Sequence, residues 1–200
     1  MEQFQRVKNH AARTPDTKVS CHYLFNCLFF NFMEQKVEGC LELYFLHKEL
    51  IVDFLISLPS EYLSYAPIKG AGTFGKQFRH ILDIDKCYIE SIETGVLDFI
   101  RTDIDHTIEN NKDELIRRLR EEDRKLNGII HSLNADQLRK KNINCLKVVK
   151  YLGEKKQFAS IEQIISLMTE HKIFHEGELA IYFRSTGNNF PQSWIFWGLK

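Results

Sequence analysis

Residues 160–187, SIEQIISLMTEHKIFHEGELAIYFRSTG, decide the fold. Within them Ile161, Ile164, Met168, His171, His175, Leu179 and Tyr182 follow one another at steps of three and four. That spacing puts them on one stripe of a helix, which must face a core because most of its members are apolar. Ser160 with Gln163 three residues later is a capping box that opens the helix, and Gly187 closes it. Two imidazoles four residues apart share a face about one turn, roughly 6 Å, apart, a spacing that suits chelation of one ion.

Working outward, the same periodicity recurs. The spacing predicts a first helix from Val37, with Leu41, Tyr44, Phe45, Ile51, Phe54, Leu55 and Leu58 as its stripe and Pro59 at its end. Pro67, Gly70 and Gly72 mark a loop leading to Thr73, the N-cap of a second helix that runs to about Thr94 with His80, Ile84, Cys87 and Tyr88 on its inner line. A third helix opens with the capping-box spacing Asn111 to Glu114 and carries Leu115, Leu119, Leu126, Ile130 and Leu133 inward. Residues 142–158, with Val148, Val149, Tyr151 and Leu152 before Gly153, read as an extended or hairpin-like excursion. The expectation is an all-α, antiparallel four-helix bundle over residues 37–200. Residues 1–36 stand apart as an N-terminal extension whose aromatics (Tyr23, Phe25, Phe29, Phe30, Phe32) dock on the bundle or on a partner subunit.

Composition narrows the class. Lys plus Arg and Asp plus Glu both number 27, so no net field gathers nucleic acid or an anionic membrane. Five irregularly spaced cysteines read as reduced thiols. The apolar stretch from Val19 to Met33 is interrupted and too short to span a bilayer, and with scattered basic residues and no small-residue cleavage site after it the stretch does not read as a signal peptide, so a cytoplasmic protein is expected.

His80 occupies the inward line of the second helix as His171 and His175 do that of the last. A single inward histidine is usually an ordinary core residue bonded to a carbonyl. Three are harder to satisfy separately, since an unpaired buried polar group costs on the order of 1–3 kcal/mol, and one shared ion would satisfy a nitrogen of each. Three protein ligands leave a position for water or substrate. A zinc-protease motif is excluded because Lys172, not Glu, follows His171. Asp123 interrupts the apolar line of the third helix: it either faces the metal pocket as a proton acceptor or turns outward to pair with Arg120 or Lys125. Cys87 lies too far along its helix to join His80, seven residues or about 10 Å away. Cys21, His22 and Cys27 lack the second pair of a zinc clip.

The segment His171-Lys-Ile-Phe-His175-Glu-Gly177-Glu-Leu179 resembles the His-x-x-x-His-x-Gly-Gln-Leu signature of the DinB family, also called YfiT-like. Thr73-Phe-Gly-Lys-Gln-Phe-Arg-His80-Ile-Leu-Asp83 resembles that family's earlier histidine helix, and Pro191-Gln-Ser-Trp194 with Trp197-Gly198-Leu199 looks like a tail of some members. The resemblance implies a bacterial four-helix bundle, often a homodimer, with a three-histidine metal site at His80, His171 and His175. It also implies a metal-dependent hydrolase or a transferase using a low-molecular-weight thiol. Where the family usually has Gln, this chain has Glu178, whose carboxylate either reaches the metal, its water or a ligand histidine's N–H, or pairs near Arg184.

The leading expectation is therefore an enzyme that activates water or a thiol against a small-molecule substrate, with zinc or nickel ahead of iron or manganese. Arg79 and Arg184 flank the histidine segments as candidate holders of a thiol's carboxylates. The alternatives are a non-catalytic metal-binding or stress-associated bundle, and three core histidines with no metal.

Overall fold

The computed structural model describes residues 21–100, 103–149 and 157–199, with the side chains of its first helix from Val37 onward. In chain order the elements are α1 (Cys21–Ser57), α2 (Phe74–Thr94), α3 (Lys112–Ser132), α4 (Ala135–Lys140), β1 (Asn142–Asn144), α5 (Leu146–Val149), β2 (Phe158–Ser160), α6 (Ile161–Arg184) and α7 (Gln192–Phe196). The four long helices form the bundle, α6 packing on α1 and α2, and α3 packing on those same two. Tracing the core through each helix shows α1 and α6 running one way and α2 and α3 the other, so the connection between α2 and α3 returns the chain to the end where α2 began.

Capping residues fix these elements locally. Thr73 accepts from the Lys76 amide at 3.1 Å, and Gly95, in the left-handed region at φ 79°, ends α2. Ser160 and Gln163 form the full reciprocal box at the start of α6. At α3 only half of the expected box exists: Asn111 caps the Glu114 amide, but the Glu114 carboxylate is drawn away by Arg117 and Arg118. The full box that the third-helix spacing suggested occurs instead at α4, Asn134 with Gln137, an element the periodicity is too short to reveal. The excursion after α4 pairs β1 with β2 antiparallel, Ile143 opposite Ala159, while Leu146–Val149 coil into a helical turn where extended chain was expected. Tyr151 and Leu152 lie outside the described residues.

The first helix begins at Cys21, sixteen positions before Val37. Periodicity failed there because apolar and aromatic residues run nearly unbroken, with His22, Asn26 and Asn31 scattered among them, and so mark out no single stripe. Nothing in it breaks a helix, and Met33 to Lys36 are good helix formers. Residues 1–20 lie outside the described residues.

Two apolar clusters fill the bundle. One gathers Leu50–Leu58 of α1, Phe74–Leu82 of α2, Leu115 and Leu119 of α3, Leu179–Phe183 of α6, and Trp194. The other gathers Val37–Tyr44, Tyr88–Ile92, Leu126 and Ile130, and Ile161–Met168. Between them every long helix contributes buried polar groups: His47 and Lys48, Asp83 and Asp85, Asp123, and Lys172, His175 and Glu176. The tail closes the first cluster, with Trp194 donating to the Leu50 carbonyl at 2.8 Å. Among the described residues no helix is long and apolar enough to cross a membrane.

One backbone approach is close enough to test. A Cβ on Gly75 would stand 1.8 Å from the carbonyl oxygen of Glu109, in the turn preceding α3. Gly75→Ala must push that turn away, so its cost is expected at or above the upper end of the roughly 1–3 kcal/mol typical of overpacking. Gly177→Ala, with open space around its Cβ, is the control. Equal melting temperatures for the two variants would refute the contact.

Candidate metal centre

The three histidines come from two neighbouring helices of opposite direction. His80 sits in the second turn of α2, and His171 and His175 sit one turn apart on α6. Ring centroids lie 4.5 Å apart for His171 and His175, 5.0 Å for His80 and His175, and 5.3 Å for His80 and His171. One ligand nitrogen from each falls within 4.8 Å of the others. His175 is buried, while His80 and His171 are half-buried, so the cluster is partly open to solvent.

The donor set fits a divalent ion. Nε2 of His171 and Nε2 of His175 are 3.1 Å apart. Two nitrogens sharing a tetrahedral ion at about 2.0 Å stand roughly 3.3 Å from each other. Burial, reinforced by His175, pushes the His171 imidazole down to about 3. Burial also lowers His80 and His175, the latter against the opposing pull of Glu178. The rings are thus held in the neutral form whose lone pair a metal requires. Nδ1 of His171 and of His175 is buried with no well-formed hydrogen bond.

Glu178 adjoins the cluster. Its Oε2 lies 2.7 Å from Nδ1 of His175, without the alignment of a hydrogen bond. A carboxylate there favours the tautomer with hydrogen on Nδ1 and so turns the free lone pair of Nε2 toward the other histidines. The Glu178 side chain remains 34 % exposed. Arg184, its suggested partner, lies over the Phe190 ring, 5.6 Å from the centroid.

The structure separates the other sequence candidates from this cluster. Asp123 does face inward, but its carboxylate is occupied by Lys48 at 3.2 Å and by the Tyr44 hydroxyl at 3.4 Å. Arg120 pairs with Glu49 and Lys125 with Glu93, so neither suggested partner holds Asp123. Arg79 is buried and spent on Asp83, at 2.5 Å, and Glu109, at 2.7 Å, which leaves no free fork for a substrate carboxylate. Cys87 is a buried core residue.

Sequence reasoning missed a buried ionic group beside the histidines. Asp85, fully buried, accepts from Lys48 at 2.6 Å and from Lys172, with the Tyr44 hydroxyl 3.5 Å away. Lys172 also stands over the Tyr44 ring, 4.3 Å from its centroid. Burial pushes the Lys172 amine down to about 8 against the pull of Asp85. One turn further along the same face of α6, both carboxyl oxygens of Glu176 lie 3.0–3.1 Å from Nδ1 of His47. Burial raises the Glu176 carboxyl to about 8 against the pull of Lys172, and burial lowers the His47 imidazole, so near neutral pH the two form an uncharged hydrogen-bonded pair. The signal was present: Ile165, Thr169, Lys172, Glu176, Leu179 and Phe183 make a second inward stripe at steps of three and four.

Comparison with known proteins agrees with this architecture. The crystal structure of a DinB-like protein, YjoA, from Bacillus subtilis superposes with a TM-score of 0.58 at 17 % sequence identity, covering 78 % of this chain and 97 % of that one. No curated protein sequence matches. The DinB family profile matches residues 33–195. That span takes in all three clustered histidines and the described core from Val37 to Trp194, and the chain belongs to the DinB family.

Proposed function

We propose that the protein is a metal-dependent enzyme acting on a small electrophilic substrate, with His80, His171 and His175 as the ligands of one divalent ion. The observation that carries this reading is the convergence of three imidazoles, their ligand atoms within 4.8 Å of one another, in a cluster that is partly open to solvent. A wholly structural site is usually closed by a fourth protein ligand, and none joins these three among the described residues. When bound, a divalent ion supplies Lewis acidity that makes water or a thiol nucleophilic near neutral pH. Zinc and nickel suit the imidazole donors, with iron and manganese next.

The chain's own residues supply orientation and a proton acceptor. Glu178 sets the tautomer of His175 through Nδ1, and its exposed face can accept the proton of the attacking water or thiol. Hydrolysis of a small ester or amide is the better supported reaction. Transfer of a low-molecular-weight thiol needs a cation for the thiol's carboxylates, and Arg79 is already paired. Arg184 lies nine residues beyond His175, about 13 Å along the helix.

The test uses protein purified without a histidine tag. Elemental analysis should find one divalent ion per chain, lost in His171→Ala and His175→Ala. Chromogenic esters and amides, and an aryl halide electrophile with a small thiol, then report turnover. Glu178→Gln is expected to keep the metal and lose roughly 10²- to 10⁴-fold in turnover. Metal loss in that variant would restrict Glu178 to orienting His175. A wild-type protein that binds metal but turns over neither substrate class would be a metal-binding bundle without catalysis.

A further inference from the structure

Each α6 histidine of the cluster is followed by a buried titratable residue tied to a different neighbouring helix. Lys172 follows His171 and pairs with Asp85 of α2. Glu176 follows His175 and pairs with His47 of α1. These are the two helices against which α6 packs most extensively. Residues adjacent in sequence lie about 100° apart around a helix, so fixing Lys172 and Glu176 fixes the directions of His171 and His175. A roll of α6 by about 20° would move an atom roughly 6 Å from its axis by about 2 Å, as much as a whole metal–nitrogen bond.

We propose that the Lys172–Asp85 and Glu176–His47 pairs are positioning residues for the three-histidine site, a clamp anchored on two neighbouring helices that sets the roll of α6 so that His171 and His175 meet His80. The inference rests on the metal reading of the cluster. It assigns a role to buried polar pairs that simple burial does not explain, because apolar residues of like volume would hold the helices at least as well. Asp85 serves both sides of this arrangement, since Lys48 and Tyr44 of α1 also reach it.

The test compares metal affinity with folding in two double variants. Asp85→Asn with Lys172→Met removes one arm and leaves Lys48 its partner Asp123. His47→Leu with Glu176→Met removes the other. Zinc affinity, by competition with a chromophoric chelator, should fall about 10- to 100-fold in each, the range seen when groups that orient metal ligands are lost. The visible absorption of the cobalt-loaded protein should change with it, while the metal-free variants still melt cooperatively. Glu176→Gln, which keeps a hydrogen bond to His47, should retain affinity within about threefold. Affinity and cobalt spectrum equal to wild type in a folded double variant overturn the clamp while leaving the metal site intact. Wild-type protein that binds neither zinc nor cobalt overturns both. If one double variant fails to fold, the other arm and Glu176→Gln still decide the question.

Discussion

Chelation is expected to lower the melting temperature of the protein by roughly 5–10 °C, and His171→Ala and His175→Ala should abolish that response. An ion that binds the native state alone stabilises it by about 2.7 kcal/mol when present at a hundred times its dissociation constant. For a chain of this size each kcal/mol is worth roughly 2–4 °C. The metal-free cluster adds to the contrast. With the ion removed, the Nε2 atoms of His171 and His175, 3.1 Å apart, lose the cation that their lone pairs would share. Truncating His171 relieves that crowding, so the alanine variants in chelator should melt at or near the temperature of wild type in chelator. A protein whose melting ignores both chelator and added zinc would have three core histidines and no metal site.

The metal-free protein should also weaken in mild acid. Burial holds His171 down to about 3, whereas the unfolded chain takes up its proton near the ordinary imidazole value. Between those values the unfolded state binds more protons, so this contribution is whole above about pH 6.5 and declines as the pH falls. Bound metal deepens the dependence, because it holds the ligands neutral while protons favour the unfolded chain.

The four helices and the histidine cluster were legible because both obey one rule. Apolar positions and the ligands share inward stripes, and a stripe is a local property of the chain. The ionic layer was harder to read for a physical reason. Lys48, Asp85, Asp123 and Lys172 also sit on inward stripes, but a lone charged residue on such a stripe is ordinarily rotated or snorkelled to water. Its burial becomes credible only when the partner from another helix is known, and Tyr44, Lys48, Asp85, Asp123 and Lys172 come from four helices spread over most of the chain. Glu178 was left open for a different reason. The readings were the metal, its water or a ligand histidine's N–H on one hand and a pairing near Arg184 on the other, and the side-chain rotamer, which sequence does not carry, sets the carboxylate beside Nδ1 of His175.

Asp85→Asn should produce the largest loss of stability among single substitutions in this layer. Lys48 and Lys172 both point at Asp85, and all three side chains are fully buried. Neutralising the carboxylate leaves two ammonium groups facing Asp123 alone, and breaking a buried pair in this way costs about 3–5 kcal/mol. The melting temperature should therefore fall by roughly 6–20 °C. Adding Lys172→Met removes the uncompensated charge and should restore much of the loss, a coupling that a double-mutant cycle measures directly. The pH dependence carries the sign. Lys172 titrates at about 8 in the folded protein against 10.5 as its ordinary value, and removing Asp85 takes away the charge that opposes burial. In Asp85→Asn the unfolded state then binds more protons than the folded one across a wider range, extending below pH 8, so stability should climb from neutral pH toward pH 9 faster than in wild type. Glu176 works in the opposite direction, but it is common to both proteins and cancels in the difference. Urea melts of the two proteins at pH 7 and pH 9, both in chelator, would show the gap narrowing as the pH rises. A gap independent of pH would mean that Lys172 finds another anion or reaches water once Asp85 is gone.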